Sequence, residues 1–252
     1  LYIREALTEL PLSKLKPFGD PYFYVQSIKS AISTLKREHR TPQDVLETSE
    51  RLLNELEADP DTVHQKGAHK GKVKGAAQTQ MDRLKKEYEL GQVFEWYEQK
   101  LATMRKFDFD DMIGEVVRAL DADESFRLTV QEKYLYILAD EHQDANGAQN
   151  KLLELLSSYH SSPNLFIVGD EKQAIFRFQG ATLDSFSHFH TLFPNAVLIP
   201  LTDSYRSGSV LLDAAHGLMR ESIPEERHPH LASKLENPNL SVLEQRTFTS
   251  EE

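Results

Sequence analysis

The sequence predicts an α/β protein in which a parallel sheet follows a mainly helical region. From residue 134 onward, short apolar runs alternate with segments of helical periodicity, the pattern of parallel strands joined by crossover helices. Residues 1–130, in contrast, show helical periodicity almost throughout. The 252 residues are 39% hydrophobic, which suffices for one large domain or two smaller ones with their own cores.

Periodicity and capping signals define the helical region. Ile28, Ile32 and Leu35 have the spacing of one helix face. Thr41-Pro42 offers a hydroxyl N-cap and a proline at the first helical position, so a second helix should begin there. The sequence FDFDDMI at 107–113 opens another helix, and its aspartates have a structural explanation because the helix dipole favours carboxylates in a first turn.

A basic segment at 63–80 separates two of the predicted helices. Its centre, KGAHKGKVKG, holds four lysines and no acidic residue, so we expect a mobile, positively charged loop. Such lysines either contact the phosphate backbone of DNA or remain solvated in a disordered loop. The candidates for a DNA contact are Lys70, Lys72 and Lys74. The run from Gly67 to Val73 imitates a nucleotide-binding loop, but it is one residue short and Val73 supplies no hydroxyl for magnesium.

The apolar run Tyr134–Ala139 predicts a buried strand that ends in an acidic pair, Asp140 and Glu141. Ligands of open α/β sheets collect outside the carboxyl ends of the strands. The pair therefore suits a phosphate-bound magnesium ion and an attacking water, with Asp140 toward the metal and Glu141 toward the water. Helix capping and solvated turn positions are the common alternative for such residues.

Two later strands are also predicted to end in polar residues. Leu165–Val168 precedes GDEKQAIFRFQGA, in which aromatic residues alternate with Arg177, and Ala196–Leu201 precedes TDSYRS. Because parallel strands present their carboxyl ends at one edge of a sheet, we predict that the three polar strand ends converge on a single cleft.

Composition excludes several classes of protein. No apolar run approaches the length of a membrane span, and the N-terminus has charges where a signal peptide needs an apolar core, so we expect a cytoplasmic protein without membrane contact. Without cysteine, disulfides and thiolate metal sites are excluded. Lys+Arg 29 against Asp+Glu 40 gives a net charge of −11, so contact with a nucleic acid must be local.

The three strand ends, in their order and spacing, resemble motifs II, III and IV of the UvrD/Rep/PcrA helicases of superfamily 1. The matching sequences are DEHQD at 140–144, VGDEKQAIFRFQGA at 168–181 and LTDSYRS at 201–207, while FDFDDMI is similar to the segment upstream of motif II. The helices between residues 28 and 104 also look like the inserted helical subdomain of that family. The resemblance implies that the sheet is part of a RecA-like motor domain of the P-loop NTPase type.

The resemblance implies an ATP site with a magnesium ion. Asp140 would hold Mg²⁺, and Glu141 would orient or deprotonate the attacking water. Gln173 matches a glutamine that senses the γ-phosphate, Arg206 matches an arginine that donates to it, and Tyr205 matches a tyrosine that stacks on adenine.

It also implies contacts with single-stranded DNA and duplex junctions. Phe176 and Phe178, beside Arg177 and Gln179, lie where the family stacks its DNA bases, and Phe109 is a further candidate surface. The alternative for each aromatic residue is core packing.

Four positions depart from the family pattern. His142 replaces a tyrosine or phenylalanine, Phe178 a tryptophan, Gln179 a DNA-contacting arginine, and Ser204 an asparagine. These replacements concern DNA affinity more than hydrolysis.

The resemblance divides the chain into three parts: a helical inserted subdomain at 1–106, the second half of the first motor domain at 107–200, and motif IV with the start of the second motor domain at 201–252. The phosphate-binding loop and motifs V and VI do not occur in the sequence. We therefore expect a fragment of an ATP-dependent 3′ to 5′ DNA helicase or translocase, with negligible ATPase activity on its own.

Other functions remain open. A helicase subunit of a RecB/AddA-type recombination nuclease shares these motifs, and the chain could instead be a non-catalytic piece that binds DNA or a partner. A two-metal hydrolase built from Asp140, Glu141, His142 and Asp144 is disfavoured, because consecutive residues after a strand point in different directions.

Overall fold

Helices dominate the architecture, as the sequence predicts. The computed structural model describes residues 1–64, 66, 70–159, 162–170, 185–219 and 231–235. The helices are α1 (Tyr2–Glu9), α2 (Val25–Arg37), α3 (Pro42–Ala58), α4 (Gly75–Thr103), α5 (Asp111–Ala122), α6 (Glu124–Lys133), α7 (Gly147–Ser157), α8 (Ser185–Leu192) and α9 (Ser209–Met219), with short 3-10 turns at Pro60–Thr62 and His142–Asp144. Within these ranges no helix is long and apolar enough to cross a lipid bilayer.

The strands form two separate parallel pairs. The first joins β1 (Ile137–Ala139) to β2 (Leu165–Ile167), and the second joins β3 (Asp203–Ser204) to β4 (Ala232–Ser233). Parallel strands at the first two predicted positions are therefore confirmed, although each is shorter than the apolar run that indicates it. That this pair belongs to a larger RecA-like sheet stays a prediction.

Two details of the predicted sheet are wrong. Leu138 and Phe166 are register partners, and both are exposed because their side chains lie on the open face of the pair, so β1 is not a buried strand. Residues 196–201 form no strand: Leu198 is 82% and Leu201 75% exposed. Their composition favours a strand, but a strand also needs a hydrogen-bonded neighbour, and the described part of the chain provides none here.

The N-terminal helices pack on α4, which has 29 residues and is about 44 Å long at 1.5 Å per residue. Leu7 of α1, Ile32 of α2 and Phe94 of α4 are buried in one core. The predicted cap of α3 is confirmed: the Thr41 hydroxyl accepts from the Asp44 N–H at 3.1 Å, and the Asp44 carboxylate accepts from the Thr41 N–H at 2.7 Å.

Glu89 on α4 ties the segment after α1 to this core. Its buried carboxylate accepts backbone N–H groups from Ser13 at 2.7 Å, Lys14 at 2.9 Å and Leu15 at 2.8 Å, and also accepts the Ser13 hydroxyl. Burial alone would raise the pKa of Glu89, but these donors, led by Leu15, hold the pKa below its ordinary value.

We expect Glu89→Ala to lower the free energy of unfolding by about 3 kcal/mol, because it leaves several buried donors without an acceptor. Thermal and chemical unfolding measure the loss. Glu87→Ala is the control, since Glu87 pairs with Arg83 on the same helix and both side chains are more than a third exposed; such pairs contribute about 0.5 kcal/mol.

The pH dependence provides a second test of Glu89. Because its pKa is lower in the folded chain, its contribution is complete above the unfolded pKa of about 4.3 and disappears as pH falls through the folded value. Equal acid sensitivity of the wild type and Glu89→Ala would contradict this assignment.

A second, smaller core joins α5, α6 and α7. Val117 and Leu120 of α5 pack against Leu155 of α7. The buried side chain of Gln131 on α6 donates to the Leu155 carbonyl at 2.7 Å, which satisfies a carbonyl in the last turn of α7. The helices α5 and α6 therefore hold α7, which begins three residues after the 3-10 turn that follows β1.

Candidate functional site

The acidic pair lies directly after β1 in a backbone of unusual conformation. Glu141 has φ 49° and ψ 38°, the left-handed region that costs a non-glycine residue about 1 kcal/mol. Its N–H donates to the Asp140 carboxylate at 2.9 Å. On either side, the Ala139 carbonyl accepts from Val168 at 2.8 Å and the His142 N–H donates to the Val168 carbonyl at 3.0 Å. The β1–β2 ladder therefore fixes both ends of the turn, and both carboxylates are exposed to solvent.

Gln143 connects the acidic pair to the end of β2. Its side chain is 3% exposed. The amide nitrogen donates to the Glu141 carboxylate at 2.6 Å, and the amide oxygen accepts the Asp170 N–H at 3.0 Å. Sequence reasoning assigns no role to Gln143, although it stands two residues after the predicted water-activating glutamate.

His142 points into the protein rather than toward the acidic pair. Its imidazole is buried, with Nε2 at 2.9 Å from Asn150 Oδ1 and the ring edge-on to Phe189 at 5.3 Å between centroids. Burial lowers the pKa of His142, against a smaller opposite effect of the Asn150 contact. A two-metal site that includes His142 is therefore contradicted. In the ranges described above, no group of three or more His, Asp or Glu side chains is placed to hold a metal ion.

The turn continues into α7 through a tightly packed glycine. The Asn146 side chain accepts from the Gln149 N–H at 3.0 Å and caps the helix. A Cβ atom on Gly147 would lie 2.8 Å from the Glu38 carbonyl oxygen, so the end of α2 approaches the backbone here as only glycine permits. The helical N-terminal region thus contacts the first residue of α7, the helix that follows the turn with the acidic pair.

The described contacts do not test whether the other predicted nucleotide contacts converge on this pair. Tyr205 and Arg206 lie in the turn after β3, and both are exposed. No hydrogen bond or ion pair among the described residues joins Arg206 to Glu141. Gln173 lies outside the described residues, so the convergence of the three strand ends stays a prediction.

The segment before α5 presents exposed aromatic side chains, and hydrogen bonds of its aspartates hold its backbone in place. Phe109 is 83% exposed and Phe107 is also exposed. Asp108, between the two phenylalanines, and Asp111, the first residue of α5, each accept the backbone N–H of the other, at 3.0 and 2.8 Å. Asp110 accepts the Ser33 hydroxyl at 2.5 Å and Arg37 Nε at 3.0 Å. The predicted DNA contact at Phe109 is therefore accessible; Phe176, Arg177, Phe178 and Gln179 lie outside the described residues.

Lys36 of α2 lies at the centre of the contacts made by these aspartates. Its side chain is 6% exposed, and Nζ lies 2.6 Å from Glu98, 2.8 Å from Asp108 and 2.7 Å from Asp111. Nζ also lies 5.0 Å from the ring centre of Tyr97, whose hydroxyl donates to Asp108 at 3.0 Å. Burial lowers the pKa of Lys36, but the three carboxylates together raise it above its ordinary value. Burial and the nearby Asp108 raise the pKa of Tyr97 to about 12.

The described residues of the basic segment include several that form backbone hydrogen bonds. Val63 and Val73 form an antiparallel bridge, and the Lys74 N–H donates to the Thr62 carbonyl at 2.8 Å. Gly71 turns with φ +79° and donates to the His64 carbonyl at 2.8 Å. Hydrogen bonds therefore join the described residues on the two sides of this segment, and its mobility stays a prediction. The exposed candidates for a phosphate contact are Lys70 and Lys72, with Lys74 half-buried.

Comparison with known proteins identifies the family. A family model described as UvrD/REP helicase N-terminal domain matches residues 14–194. The ATP-dependent DNA helicase PcrA of Bacillus subtilis is 31% identical over 181 residues, which are 72% of this chain and 22% of that protein. PcrA of Staphylococcus aureus is 34% identical over 137 residues, which are 54% of this chain and 18% of that protein. UvrD1 of Mycobacterium tuberculosis is 33% identical over 132 residues, which are 50% of this chain and 17% of that protein.

The chain thus spans about a fifth of the length of these relatives. The matched range contains the second core, the acidic pair and Gln143, and it contains the part of the first core that follows residue 14. The resemblance found from the motifs is confirmed, and this chain belongs to the UvrD/REP helicase N-terminal domain family.

Proposed function

We propose that the chain is part of an ATP-dependent DNA helicase or translocase that couples hydrolysis of Mg-ATP to 3′ to 5′ movement on single-stranded DNA. The main support is the acidic pair at the carboxyl end of β1, which lies in a backbone-fixed turn within the range that matches the helicase family. The named relatives are ATP-dependent DNA helicases. That this chain shares their activity is the proposal.

In this proposal, Asp140 and Glu141 have different roles in phosphoryl transfer: Asp140 binds the metal ion and Glu141 orients the water. The exposed carboxylate of Asp140 is a hard oxygen ligand of the kind that Mg²⁺ binds, and the bound ion would neutralise charge on the phosphate oxygens. Glu141 accepts a hydrogen bond from the attacking water and orients it. Gln173 and Arg206 contact the γ-phosphate, and Tyr205 stacks on the adenine.

Single-stranded DNA is proposed to contact aromatic and basic side chains. Phe109 presents an exposed ring on a backbone segment that the ion pair between Asp108 and Lys36 holds in place. Base stacking requires such an accessible ring. The proposed contacts continue on Phe176, Arg177, Phe178 and Gln179, and on the lysines of the basic turn. Because the net charge is −11, these contacts must be local.

The proposed division at residues 106 and 200 agrees with the packing. The first core takes its buried residues from positions 3–94, and the second takes them from positions 117–155. β3 pairs with β4, not with β1 or β2. We propose that these parts are the helical inserted subdomain, half of the first motor domain, and the start of the second.

The function is tested on the full-length protein. We expect ATP hydrolysis that is stimulated by single-stranded DNA, and separation of a duplex with a 3′ single-stranded tail but not of one with a 5′ tail. A protein that binds DNA but shows no DNA-stimulated hydrolysis would be a non-catalytic binding protein, and the proposal would be wrong.

For the DNA contact, we expect Phe109→Ala to weaken binding of single-stranded DNA about tenfold, since loss of one base stack costs roughly 1–3 kcal/mol. Fluorescence anisotropy with a labelled oligonucleotide measures the change. Phe18→Ala is the matched control, because Phe18 is fully exposed but lies in the segment before α2. Equal affinities of the wild type and Phe109→Ala would remove Phe109 from the DNA surface.

A further inference from the structure

The hydrogen bonds of Gln143 leave its side-chain amide little freedom. Its amide nitrogen donates to the Glu141 carboxylate at 2.6 Å, and its amide oxygen accepts from the Asp170 N–H at 3.0 Å. The amide itself is buried, so breaking either hydrogen bond leaves a desolvated amide group without that partner. Moving the amide therefore costs more than moving an exposed one.

Glu141 itself has few restraints apart from Gln143. Its carboxylate is exposed, and an exposed glutamate samples several rotamers. The one described hydrogen bond to this carboxylate comes from Gln143. The left-handed backbone sets the direction in which the Glu141 side chain leaves the turn, and the Gln143 amide then selects where its carboxylate lies.

We propose that Gln143 is a positioning residue that orients the Glu141 carboxylate toward the attacking water and makes this orientation depend on the backbone at Asp170. The inference rests on the proposed function and deepens it, because it assigns a role to a side chain outside the proposed nucleotide contacts. A shift of the Asp170 N–H pulls on the amide oxygen, and the rigid amide passes that shift to Glu141. The chain segment after β2 is thereby linked to the hydrolytic residue.

Two substitutions in the full-length protein separate positioning from packing. Gln143→Met keeps the length and volume of the side chain but removes both hydrogen bonds. Gln143→Glu keeps an acceptor for Asp170 but replaces the donor by a second carboxylate beside Glu141. We expect each variant to lower kcat for ATP hydrolysis about 10- to 100-fold, the effect of misplacing a reacting group by about 1 Å, while KM for ATP changes less than about twofold.

The chain provides a matched control for the charge change. Gln43 on α3 donates to Glu47 at the same distance of 2.6 Å, but the pair is exposed and distant in sequence from the acidic pair. Gln43→Glu therefore creates the same pairing of two carboxylates without touching the site. We expect wild-type kcat and KM for this variant.

Each outcome decides the inference. A lower kcat at constant KM in both variants, with a normal Gln43→Glu control, supports it. If Gln143→Glu does not fold, Gln143→Met decides alone. A folded Gln143→Met with wild-type kcat, or with an increase in KM alone, overturns the positioning role. If the wild type shows no hydrolysis that depends on Glu141, the proposed function itself fails, and this result is distinct from the others.

Discussion

Glu141→Gln in the full-length protein is expected to lower kcat for ATP hydrolysis about 1,000-fold, within the 10²–10⁴ range that a positioned general base contributes. The replacement has the same shape, and its amide oxygen can still accept the hydrogen bond that Gln143 donates at 2.6 Å. The turn should therefore keep its geometry while the side chain loses its ability to accept a proton. ATP affinity should remain within about twofold, since the chemical step alone is affected.

Steady-state hydrolysis with and without single-stranded DNA measures the loss, and titration with a fluorescent ATP analogue measures binding. Glu132→Gln on α6 makes the same change of side chain at an exposed position away from the turn and should behave as the wild type. A general base contributes at least about 100-fold to the rate. If Glu141→Gln retained more than about a tenth of the wild-type kcat, the loss would be less than tenfold and the general base would have to be another residue.

Local sequence signals predict the local structure well. The spacing of Ile28 and Ile32 places α2, and Thr41 caps α3 with the predicted reciprocal hydrogen bonds. The acidic pair follows β1 as expected. Each of these features depends on residues within about one or two helical turns, so a short stretch of sequence contains the information.

Features that depend on distant partners are not predicted. Residues 196–201 have the composition of a strand, but they have no neighbouring strand among the described residues. The role of Gln143 depends on Asp170, 27 residues later. Nothing in the turn sequence indicates that the Asp170 N–H will lie beside the glutamine. This hydrogen bond is therefore found only from the structure.

Lys36 illustrates a signal that was present but incomplete. It follows Ile28 and Ile32 at intervals of four residues, so it stands on the apolar face of α2, where a lysine without partners is unfavourable. The sequence thus indicates that Lys36 needs buried partners. It does not indicate which ones, because Glu98, Asp108 and Asp111 lie 62 to 75 residues further along the chain.

Lys36→Met is expected to lower the free energy of unfolding by about 3–5 kcal/mol, the cost of breaking a buried ion pair by removing one partner. Methionine fills the space of the lysine side chain except for the terminal ammonium group, so the loss reflects mainly the missing charge. The carboxylates of Glu98, Asp108 and Asp111 then repel one another around the vacated position. Chemical denaturation of the 252-residue chain, with unfolding followed by circular dichroism, measures the difference.

The ion pair between Lys14 and Asp82 provides the comparison. It has the same 2.8 Å separation as the pair between Lys36 and Asp108, but both of its side chains are more than a third exposed. Lys14→Met should therefore cost less than about 1 kcal/mol. Equal losses for the two variants would show that burial adds nothing at Lys36.

The same substitution should also affect DNA binding, because Asp108 and Asp111 brace the segment that presents Phe109. At a temperature where Lys36→Met is still folded, we expect affinity for single-stranded DNA to fall toward that of Phe109→Ala, about tenfold. Combining Lys36→Met with Phe109→Ala should then lower the affinity little further, since both changes remove one contact. Fully additive losses would mean that Lys36 stabilises the fold without positioning the aromatic ring.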